Sequence, residues 1–507
     1  MNSVKRVVKN TLFLYIKMLV TICIALFSTR LVLEALGVVD YGVYNLVGGV
    51  IALLAFLNSA MTVSTQRYLS VNIGTGNSSK ISQVFKTSIR LHLIIGIFIV
   101  ILLELVGLFI FDGFLNIPSD RLETAKIIYH LMVVSTFFTI NAVPYDASIN
   151  ANEHLVFDSI LGIIESFVKL VIAVYLITYE KDRLLLYVIL LTLLIILVRV
   201  IKSIYCFMKF EECSFRARGT GVSRVLFKEM FSFARWNMFG SLAAIGRNQG
   251  IAVILNIFFG AAINASFAIA NQVSAQLSSF SAMMLKAVNP QIMKKEGANA
   301  RSSMLNLAMT SSKISFFLLA FFAIPLLFLM PDVLKLWLKD VPDGTVIFCN
   351  LILISTMINQ LTIGLQSAFQ AVGKIKLYQF TVGSLLILNL PISYLLLNYG
   401  LPAYSVFFSF ISIDILAGCF RVILSIKISG LLISEYLHKV LIPSLVSIVP
   451  TIALSSLVFC FIEKSFIFYI LIFLSIIIFI VSIIIFGLNK YEKYKIISLY
   501  SSIINKK

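Results

Sequence analysis

The chain has 507 residues, of which 60% are hydrophobic and 13% are charged, and its formal net charge is +18. Soluble domains are typically about 45–50% apolar and about 25% charged, and a core of this size cannot hide so much apolar surface from water. The composition therefore excludes a soluble protein and indicates one that lies in lipid. Six cysteines and four histidines are dispersed with no close ligand spacing, so we expect no metal site and no cofactor.

The amino-terminal segment starts with basic residues and continues into a long apolar stretch that Lys17 and Arg30 interrupt. Because this stretch is too long for a signal peptide and no small-residue cleavage pattern follows it, we interpret it as a retained first span. A span needs about twenty predominantly apolar residues. That rule predicts an all-α protein with about fourteen transmembrane helices, at 11–36, 41–63, 84–111, 125–149, 155–177, 184–208, 231–259, 263–289, 308–330, 345–371, 378–397, 402–428, 441–462 and 466–487.

The loops on the two predicted sides of the membrane differ in charge. Loops on one side, including those around Arg67, Arg224 and Lys294, carry most of the basic residues, whereas the opposite loops carry few. Since basic loops stay in the cytoplasm, both termini are predicted to be cytoplasmic. The charge of +18 then reflects orientation and contact with anionic lipid, not nucleic acid, and we expect a multi-pass protein of the inner membrane.

The longest polar connection, residues 209–230, lies near the middle of the chain. We interpret it as a cytoplasmic linker between an amino-terminal six-helix lobe at 1–208 and a second six-helix lobe at 231–428. Residues 429–507 then hold two further spans and a basic amphipathic tail of the kind that lies on a membrane surface.

A weak internal repeat crosses this linker. The segment LGVVDYGVY from Leu36 is echoed by FGAAINASF from Phe259, and STFFTINAVPYDASINANEH from Ser135 aligns with STMINQLTIGLQSAFQAVGK from Ser355. Both echoes need a separation of roughly 220 residues, which corresponds to about six spans, so the two copies would insert in the same orientation, as in transporters built from parallel repeats. Chance similarity between two apolar segments is the alternative.

Catalytic signatures are absent from the sequence. The segment GTGNSSK at 74–80 lacks the glycine that precedes the lysine of a phosphate-binding loop. The outward loops, of at most about fifteen residues, are shorter than the catalytic loops that membrane glycosyltransferases and polymerases need. We therefore expect that the protein is not an enzyme.

Ionisable residues inside predicted spans are the main functional candidates, since a central charge costs about 2.5–3.5 kcal/mol and faces a cavity or a partner. Arg30 and Glu34 are four residues apart, as are Glu165 and Lys169, so each pair can neutralise itself on one helix face. Three others lie near predicted cytoplasmic ends, where side chains reach the lipid headgroups: Lys17, Asp158 and Arg199.

Arg247 lies near the middle of the seventh predicted span, in the polar and bendable patch AAIGRNQG. Because such a patch is tolerated at membrane depth beside water or protein, we favour a cavity role over a structural salt bridge. Asp146, just after the helix-weakening Pro144, is the matching acidic candidate. Uncharged polar residues can line the same cavity or merely join helices. The candidate substrate-binding residues are Arg30, Arg247, Asn58, Asn248, Gln249, Asn271 and Gln272, and the candidate ion-coupling acids are Asp146, Glu165 and Glu34.

Longer stretches of the chain are similar to Wzx-type polysaccharide flippases. They are RLVLEALGVVDYGVYNLVGGV (30–50), QRYLS (66–70), ANEHLVFDSILGIIESFVKLVIAVYLI (151–177), SFAIANQVSAQLSSFSAMMLKAVNPQIMKKEG (266–297) and SAFQAVGKIKLYQ (367–379). Those flippases are part of the multidrug/oligosaccharidyl-lipid/polysaccharide (MOP) superfamily, which also holds the MATE exporters. The likeness covers most of the first twelve spans and contains no strict motif.

The resemblance implies two six-helix lobes in a V around a central cavity, with two appended helices. It also implies a substrate, an O-antigen, capsule or similar oligosaccharide on undecaprenyl pyrophosphate, which moves from the cytoplasmic to the periplasmic leaflet. Arg30 and Arg247 are the basic residues that this chain offers to the pyrophosphate, and a polysaccharide polymerase and glycosyltransferases are the expected partners.

Two alternatives remain open at the level of sequence. A MATE-type, cation-coupled multidrug exporter favours unpaired cavity carboxylates over arginines, so Arg247 weighs against it, while Asp146 and Glu104 keep it in consideration. A membrane glycosyltransferase or polymerase is less consistent with the short outward loops. For a flippase we expect alternating access driven by a proton or sodium gradient acting through one of the candidate acids.

Overall fold

The structure, a computed structural model, describes residues 3–52, 55–111, 117–214, 221–338, 340–462 and 466–494, with side chains omitted at 3–4, 50, 52 and 55–59. All regular structure within these residues is helical, which confirms the all-α prediction. The α-helices are α1 (Ser3–Ala52), α2 (Ala55–Thr75), α3 (Ser78–Phe109), α4 (Leu122–Ala151), α5 (Leu155–Thr178), α6 (Arg183–Lys209), α7 (Arg224–Gly297), α8 (Arg301–Trp337), α9 (Thr345–Gln360), α10 (Ile363–Val372), α11 (Ile375–Asn398), α12 (Ser405–Ser429), α13 (Ile433–Tyr436), α14 (Ile442–Phe461) and α15 (Phe466–Ser482).

Most of these helices are long and apolar enough to cross a membrane. Within the described ranges there are 11 such helices, or 12 when α9 and α10, which meet at a bend of 42°, are counted as one span. The chain is therefore a multi-pass membrane protein. The count of about fourteen spans and the cytoplasmic position of the termini stay predictions.

Two helices are much longer than one membrane crossing requires. α1 has 50 residues and α7 has 74, lengths of about 75 Å and about 110 Å at 1.5 Å per residue. Each is interrupted at a glycine, Gly37 (φ 76°, ψ 170°) and Gly260 (φ 77°, ψ −170°), in a backbone region open essentially to glycine alone. The ends predicted from sequence for the first and seventh spans, Leu36 and Phe259, lie immediately before these two breaks.

The same left-handed backbone positions recur along the chain. Gly37 and Gly260 are 223 residues apart, as are Gly76 and Asn299. A third pair of residues with positive φ, Glu153 and Gly373, is 220 residues apart. The internal repeat predicted at roughly 220 residues therefore has a counterpart in the backbone as well as in the sequence.

The chain divides into two compact units, unit 1 (Met1–Met238) and unit 2 (Phe239–Lys507). In unit 1, α1 packs along α5, and α4 packs against α2, α3 and α6. α7 begins at Arg224, inside the segment predicted as a linker, so this linker continues directly into a long helix. The buried core of unit 1 includes Leu103, Ile128 and Tyr129.

In unit 2, α12 packs against α9 and α11, and α8 packs against α9 and α10. The buried core includes Leu255, Phe267, Phe348 and Phe407. The last two long helices, α14 and α15, pack on each other and on α8.

A buried lysine ties the carboxy-terminal helical turn to α8. Lys313, whose side chain is 2% exposed, donates to the Glu492 carboxylate at 2.7 Å. The backbone N–H of Asn489 donates to the same Glu492 oxygen at 2.9 Å, and the N–H of Glu492 donates to the Asn489 side chain at 2.8 Å. This reciprocal capping arrangement starts the helical turn, and Lys313 fixes its position in unit 2.

Candidate functional site

Five charged side chains from four helices meet inside unit 1, and we call them the unit 1 cluster. Lys202 Nζ lies 2.7 Å from Asp146 Oδ1 and 2.8 Å from Asp158 Oδ1. Arg199 Nη1 lies 3.5 Å from the second Asp146 oxygen, and Lys17 Nζ lies 3.3 Å from the second Asp158 oxygen. Each carboxylate is thus held by two bases, with Lys202 shared between them.

Local sequence explains how these groups meet. Arg199 and Lys202 are three residues apart on α6, so they share one face of that helix. Asp158 lies in the first turn of α5, where the helix dipole favours an acid. Gly162, one turn later, leaves the space that Lys17 occupies, because a Cβ there would collide with the end of the Lys17 side chain.

The unit 1 cluster is buried at its centre and half-buried at Lys17, Asp146 and Arg199, and it carries one basic charge in excess. The side chains of Lys202 and Asp158 are only 10% and 8% exposed. Three bases face two acids, which leaves a formal charge of +1. The prediction that Lys17, Asp158 and Arg199 reach the headgroups is therefore wrong, because they point at partners on neighbouring helices, whose positions a single sequence does not reveal.

A cavity of about 500 Å³ lies among α1, α5 and α6 of unit 1, and hydroxyl groups dominate its polar lining. Lys169 is its one ammonium group among the described residues, and it forms an ion pair with Glu165 at 2.7 Å, which confirms the helix-face pairing predicted for these two residues. The buried Ser28 hydroxyl has no hydrogen-bond partner within the described part of the chain. The hydroxyl side chains lining the cavity are Thr21, Ser28, Thr29, Tyr41, Tyr44, Ser166 and Tyr187.

Charged contacts also fix the break at Gly37. The buried Asp40 accepts Arg121 Nη2 at 2.9 Å, and Arg121 reaches Asp182 at 3.3 Å. Arg183 Nη1 donates at 3.0 Å to the carbonyl of Ala35, just before the break. Because a helix end leaves carbonyl groups unpaired, Arg183 satisfies one of them. These contacts hold Tyr41 and Tyr44, which follow the break, against the cavity.

In unit 2 a second buried ion pair, which we call the unit 2 cluster, is formed by Arg247 and Asp414. Arg247 Nη1 lies 3.0 Å from Asp414 Oδ1, and the Arg247 guanidinium lies 4.5 Å from the centre of the Phe410 ring. The second Asp414 oxygen accepts the hydroxyl of Ser355 on α9. One base therefore faces one acid in the unit 2 cluster.

Arg421 acts at the break between α9 and α10. It donates to the side chain of Asn359 and, at 2.9 Å, to the hydroxyl of Thr362. The Tyr436 hydroxyl donates to the carbonyl of Leu361 at 3.1 Å. A broken helix frees backbone groups that need partners at membrane depth. Tyr436 satisfies one such carbonyl, and Arg421 joins side chains on the two sides of the break.

The predicted site residues are distributed over several environments. Arg30 and Glu34 are both exposed, and no ion pair joins them within the described part of the chain, so the pairing predicted for them is wrong. They lie on the stretch of α1 just before Gly37, and neither lines the unit 1 cavity. Arg30 and Glu34 have the same four-residue spacing as Glu165 and Lys169, but this spacing alone does not produce an ion pair, because exposed side chains gain little from pairing.

The remaining candidates lie mainly on α7. Asn248 and Gln249 are exposed next to Arg247, whereas Asn271 is half-buried. Gln272 lines a smaller, mostly apolar cavity of about 200 Å³ against α8. The side chain of Asn58 lies outside the described residues. Of the predicted polar residues, the structure thus brings Arg247 and Asp146 into buried clusters and leaves Asn248 and Gln249 exposed.

Several buried charged residues were missed from sequence. Lys202 and Arg421 lie near predicted span ends and were not recognised as buried, and Lys313 lies in TSSKISFF within α8. The position of Lys202 three residues after Arg199 was the available signal. For Arg421 there was none, because its partners are about 60 residues away in the chain.

Comparison with known proteins was made for sequence and for fold. No family model and no curated protein matches the sequence. The solved structure of MATE in the bent conformation aligns with a TM-score of 0.74 and 14% identity over 85% of this chain and 96% of that chain. An outward-facing multidrug resistance MATE family transporter of the MOP superfamily aligns with a TM-score of 0.72 and 14% identity, over 85% of this chain and 98% of that chain. A MOP superfamily transporter from Pyrococcus furiosus aligns with a TM-score of 0.70 and 14% identity, over 84% of this chain and 96% of that chain.

At this level of identity the likeness concerns the fold. Two of these similar structures are described as transporters. The chain is a multi-pass membrane protein with the fold of the MATE-type transporters of the MOP superfamily.

Proposed function

We propose that this protein is a flippase for undecaprenyl-pyrophosphate-linked oligosaccharide, an O-antigen, capsule or similar repeat unit. It moves the headgroup from the cytoplasmic to the periplasmic leaflet by alternating access, coupled to an ion gradient. Glycosyltransferases supply the substrate and a polysaccharide polymerase consumes it.

The observation that carries this proposal is the excess of bases in the unit 1 cluster. The unit 1 cluster has three bases and two acids, and in unit 2 the Nε–H of Arg247 is buried with no acceptor among the described residues. An uncompensated positive charge at membrane depth is costly, and an anionic substrate offsets that cost. Arginine also binds phosphate oxygens in a bidentate fork, so pyrophosphate suits these clusters better than an organic cation.

The unit 1 cavity supports the carbohydrate part of the substrate. Its hydroxyl groups can exchange hydrogen bonds with sugar hydroxyls, and Ser28 offers a buried hydroxyl with no partner among the described residues. The tyrosines Tyr41, Tyr44 and Tyr187 add aromatic faces to the same wall. A sugar ring has both polar edges and apolar faces, so this mixture of groups fits it.

The fold itself is compatible with more than one substrate. For the Pyrococcus furiosus transporter of the same fold, a reverse polarity of the binding pocket suggests a different function. Charge rather than fold is therefore the property on which we base the choice of substrate.

We also propose fourteen spans with both termini in the cytoplasm. Two crossings are added to the twelve counted above. One comes from dividing α7 at Gly260, and the other from counting the part of α1 after Gly37 together with α2 as one span. The basic loops then remain on the cytoplasmic side.

A MATE-type cation exporter is the second candidate, and one observation favours it. Glu34 is exposed and has no ion-pair partner among the described residues, so its carboxylate is available to a cation. The other acids that such an exporter could use have partners. Asp146, Glu165 and Asp414 are held by bases, and Glu104 lies 3.0 Å from His130. Among the candidate ion-coupling acids in the described part of the chain, Glu34 is therefore the one free to take up a proton or sodium ion.

Proteoliposomes distinguish the two functions. The purified protein is reconstituted with lipid-linked oligosaccharide extracted from the source strain, and the fraction of glycan oxidised by external periodate is followed with time. Without flipping, periodate oxidises only the glycan in the outer leaflet. We expect the protein to raise the oxidised fraction towards all of the glycan, and we expect no transport of ethidium. Ethidium transport with no movement of the oligosaccharide would contradict the flippase proposal and favour the exporter.

Variants at Arg247 connect this activity to the unit 2 cluster. Arg247→Ala should lower the flipping rate at least about tenfold, and Arg247→Lys should retain part of it, because lysine keeps the charge but not the fork. Removal of Arg247 alone also leaves Asp414 buried without its base. The double variant Arg247→Ala/Asp414→Asn controls for that effect, and normal flipping by the double variant would remove Arg247 from the mechanism.

A further inference from the structure

The Arg247 guanidinium already holds an anion in this structure. Its Nη1 atom donates to Asp414 Oδ1 at 3.0 Å, and the two side chains are 14% and 9% exposed. A guanidinium has five N–H donors, and the Nε–H of Arg247 is buried with no acceptor among the described residues. Arg247 therefore has donors to spare for a second anion.

The other contacts of Arg247 hold the side chain independently of Asp414. Its guanidinium lies 4.5 Å from the centre of the Phe410 ring, a cation–π contact that remains if Asp414 moves away. This contact with the ring uses no oxygen acceptor, so the remaining N–H groups of the guanidinium stay available to oxygen ligands.

Asp414 likewise has a second partner. Its Oδ2 atom accepts the hydroxyl of Ser355 on α9, so the carboxylate keeps one hydrogen bond when it loses Arg247. A carboxylate with no remaining partner would be costly inside the protein. The Ser355 contact lowers the cost of separating the ion pair.

Arg247 keeps limited access from outside the protein. Its side chain is 14% exposed, and the next two residues on α7, Asn248 and Gln249, are polar and exposed. Their side chains point to other faces of the helix, because residues one and two apart do not face each other. A ligand can therefore reach Arg247 through the exposed part of its own side chain.

We propose that Asp414 is an internal competitor of the substrate, and that Arg247 exchanges the Asp414 carboxylate for a phosphate oxygen of the pyrophosphate headgroup. The inference rests on the proposed flippase function and adds the determinant of affinity at that site. In the empty protein Asp414 neutralises Arg247. Pyrophosphate displaces it because it carries more charge and can bind the guanidinium in a bidentate fork, and Asp414 later displaces the headgroup when the substrate is released.

Binding measurements on the purified full-length protein in detergent test the exchange. The probes are farnesyl pyrophosphate, which carries a lipid chain, and inorganic pyrophosphate, which does not. Asp414→Asn keeps the shape of the side chain and removes the competing charge, so both probes should bind about tenfold more tightly, which corresponds to about 1.4 kcal/mol. Arg247→Ala should abolish this gain in the Asp414→Asn background.

Two further variants give opposite and neutral expectations. Ser355→Ala removes the hydrogen bond that supports the displaced Asp414, so the probes should bind more weakly than to the unmodified protein. Glu435→Gln is the control, since it makes the same carboxylate-to-amide change in the exposed Glu435–Lys439 pair of unit 2, and it should leave the affinity within about twofold.

The outcomes separate this inference from the proposed function. If the unmodified protein binds farnesyl pyrophosphate but Asp414→Asn gains no affinity or loses it together with thermal stability, Asp414 only joins α7 to α12 and the exchange is wrong. Should Asp414→Asn fail to fold, a Ser355→Ala variant of unchanged affinity also shows that the exchange is wrong. If neither the unmodified protein nor Asp414→Asn binds either probe, both the exchange and the recognition of pyrophosphate are wrong.

Discussion

Replacement of Lys202 by methionine tests how much the unit 1 cluster contributes to stability. Methionine is similar in length to lysine and lacks its charge, so Lys202→Met removes the ammonium that joins Asp146 to Asp158 and leaves the packing largely intact. The change also takes the cluster from three bases to two, which makes it formally neutral. Helices α4, α5 and α6 lose the group that links them.

The structure gives the expected magnitude. Removing one partner of a buried ion pair typically costs about 3–5 kcal/mol. Here each carboxylate keeps a second base, Arg199 at 3.5 Å from Asp146 and Lys17 at 3.3 Å from Asp158. We therefore expect the lower end, about 3 kcal/mol, which for a unit of this size corresponds to a fall in melting temperature of about 6 °C.

Thermal unfolding of the purified protein in detergent measures this effect. The matched control is Lys209→Met, the same change at an exposed position of the last turn of α6, which should move the melting temperature by no more than about 1 °C. The double variant Lys202→Met/Asp158→Asn should lose about 1–2 kcal/mol less stability than the sum of the two single variants, because the two residues are in contact. If Lys202→Met lowers the melting temperature no more than Lys209→Met does, the unit 1 cluster does not stabilise the protein as proposed.

Two pairs of glycine variants test the packing and the backbone. A Cβ at Gly364 would collide with the Ala308 carbonyl of α8, so Gly364→Ala should lower the free energy of unfolding in detergent by about 1–3 kcal/mol. Gly418→Ala meets ordinary contacts and should be tolerated, and equal losses of stability in the two variants would contradict the close approach. Gly37→Ala should cost about 1–3 kcal/mol of stability because the backbone of Gly37 has a positive φ, whereas Gly42→Ala on the same helix should be neutral or stabilising. A tolerated Gly37→Ala would contradict the helix break at Gly37.

The sequence was sufficient to place most of the apolar helices, because apolar runs of about twenty residues have few alternatives in a membrane protein. It also placed two span ends beside Gly37 and Gly260. It did not predict the break between α9 and α10, which lies inside the predicted span 345–371. At that break Arg421 and Tyr436, which are distant in sequence, donate hydrogen bonds to the Thr362 hydroxyl and the Leu361 carbonyl.

The candidate site was predictable where partners are close in sequence. Glu165 and Lys169 pair as their spacing suggested, because both lie on one helix face. The partners of Asp146 and Arg247 could not be predicted, since they are 53 or more residues away. Whether an intramembrane charge is free or paired depends on which helices pack together, and that information is not local.

The contact between Lys313 and Glu492 has a practical consequence for the carboxy terminus. Truncation before residue 489 would remove the acid and leave an ammonium group inside α8 without its counter-ion, in a position with almost no access to water. An affinity tag added after residue 507 keeps the acid in place. The shortened chain should therefore express poorly for a reason that has nothing to do with transport, and shortening the tail is informative only when Lys313 is replaced by methionine at the same time.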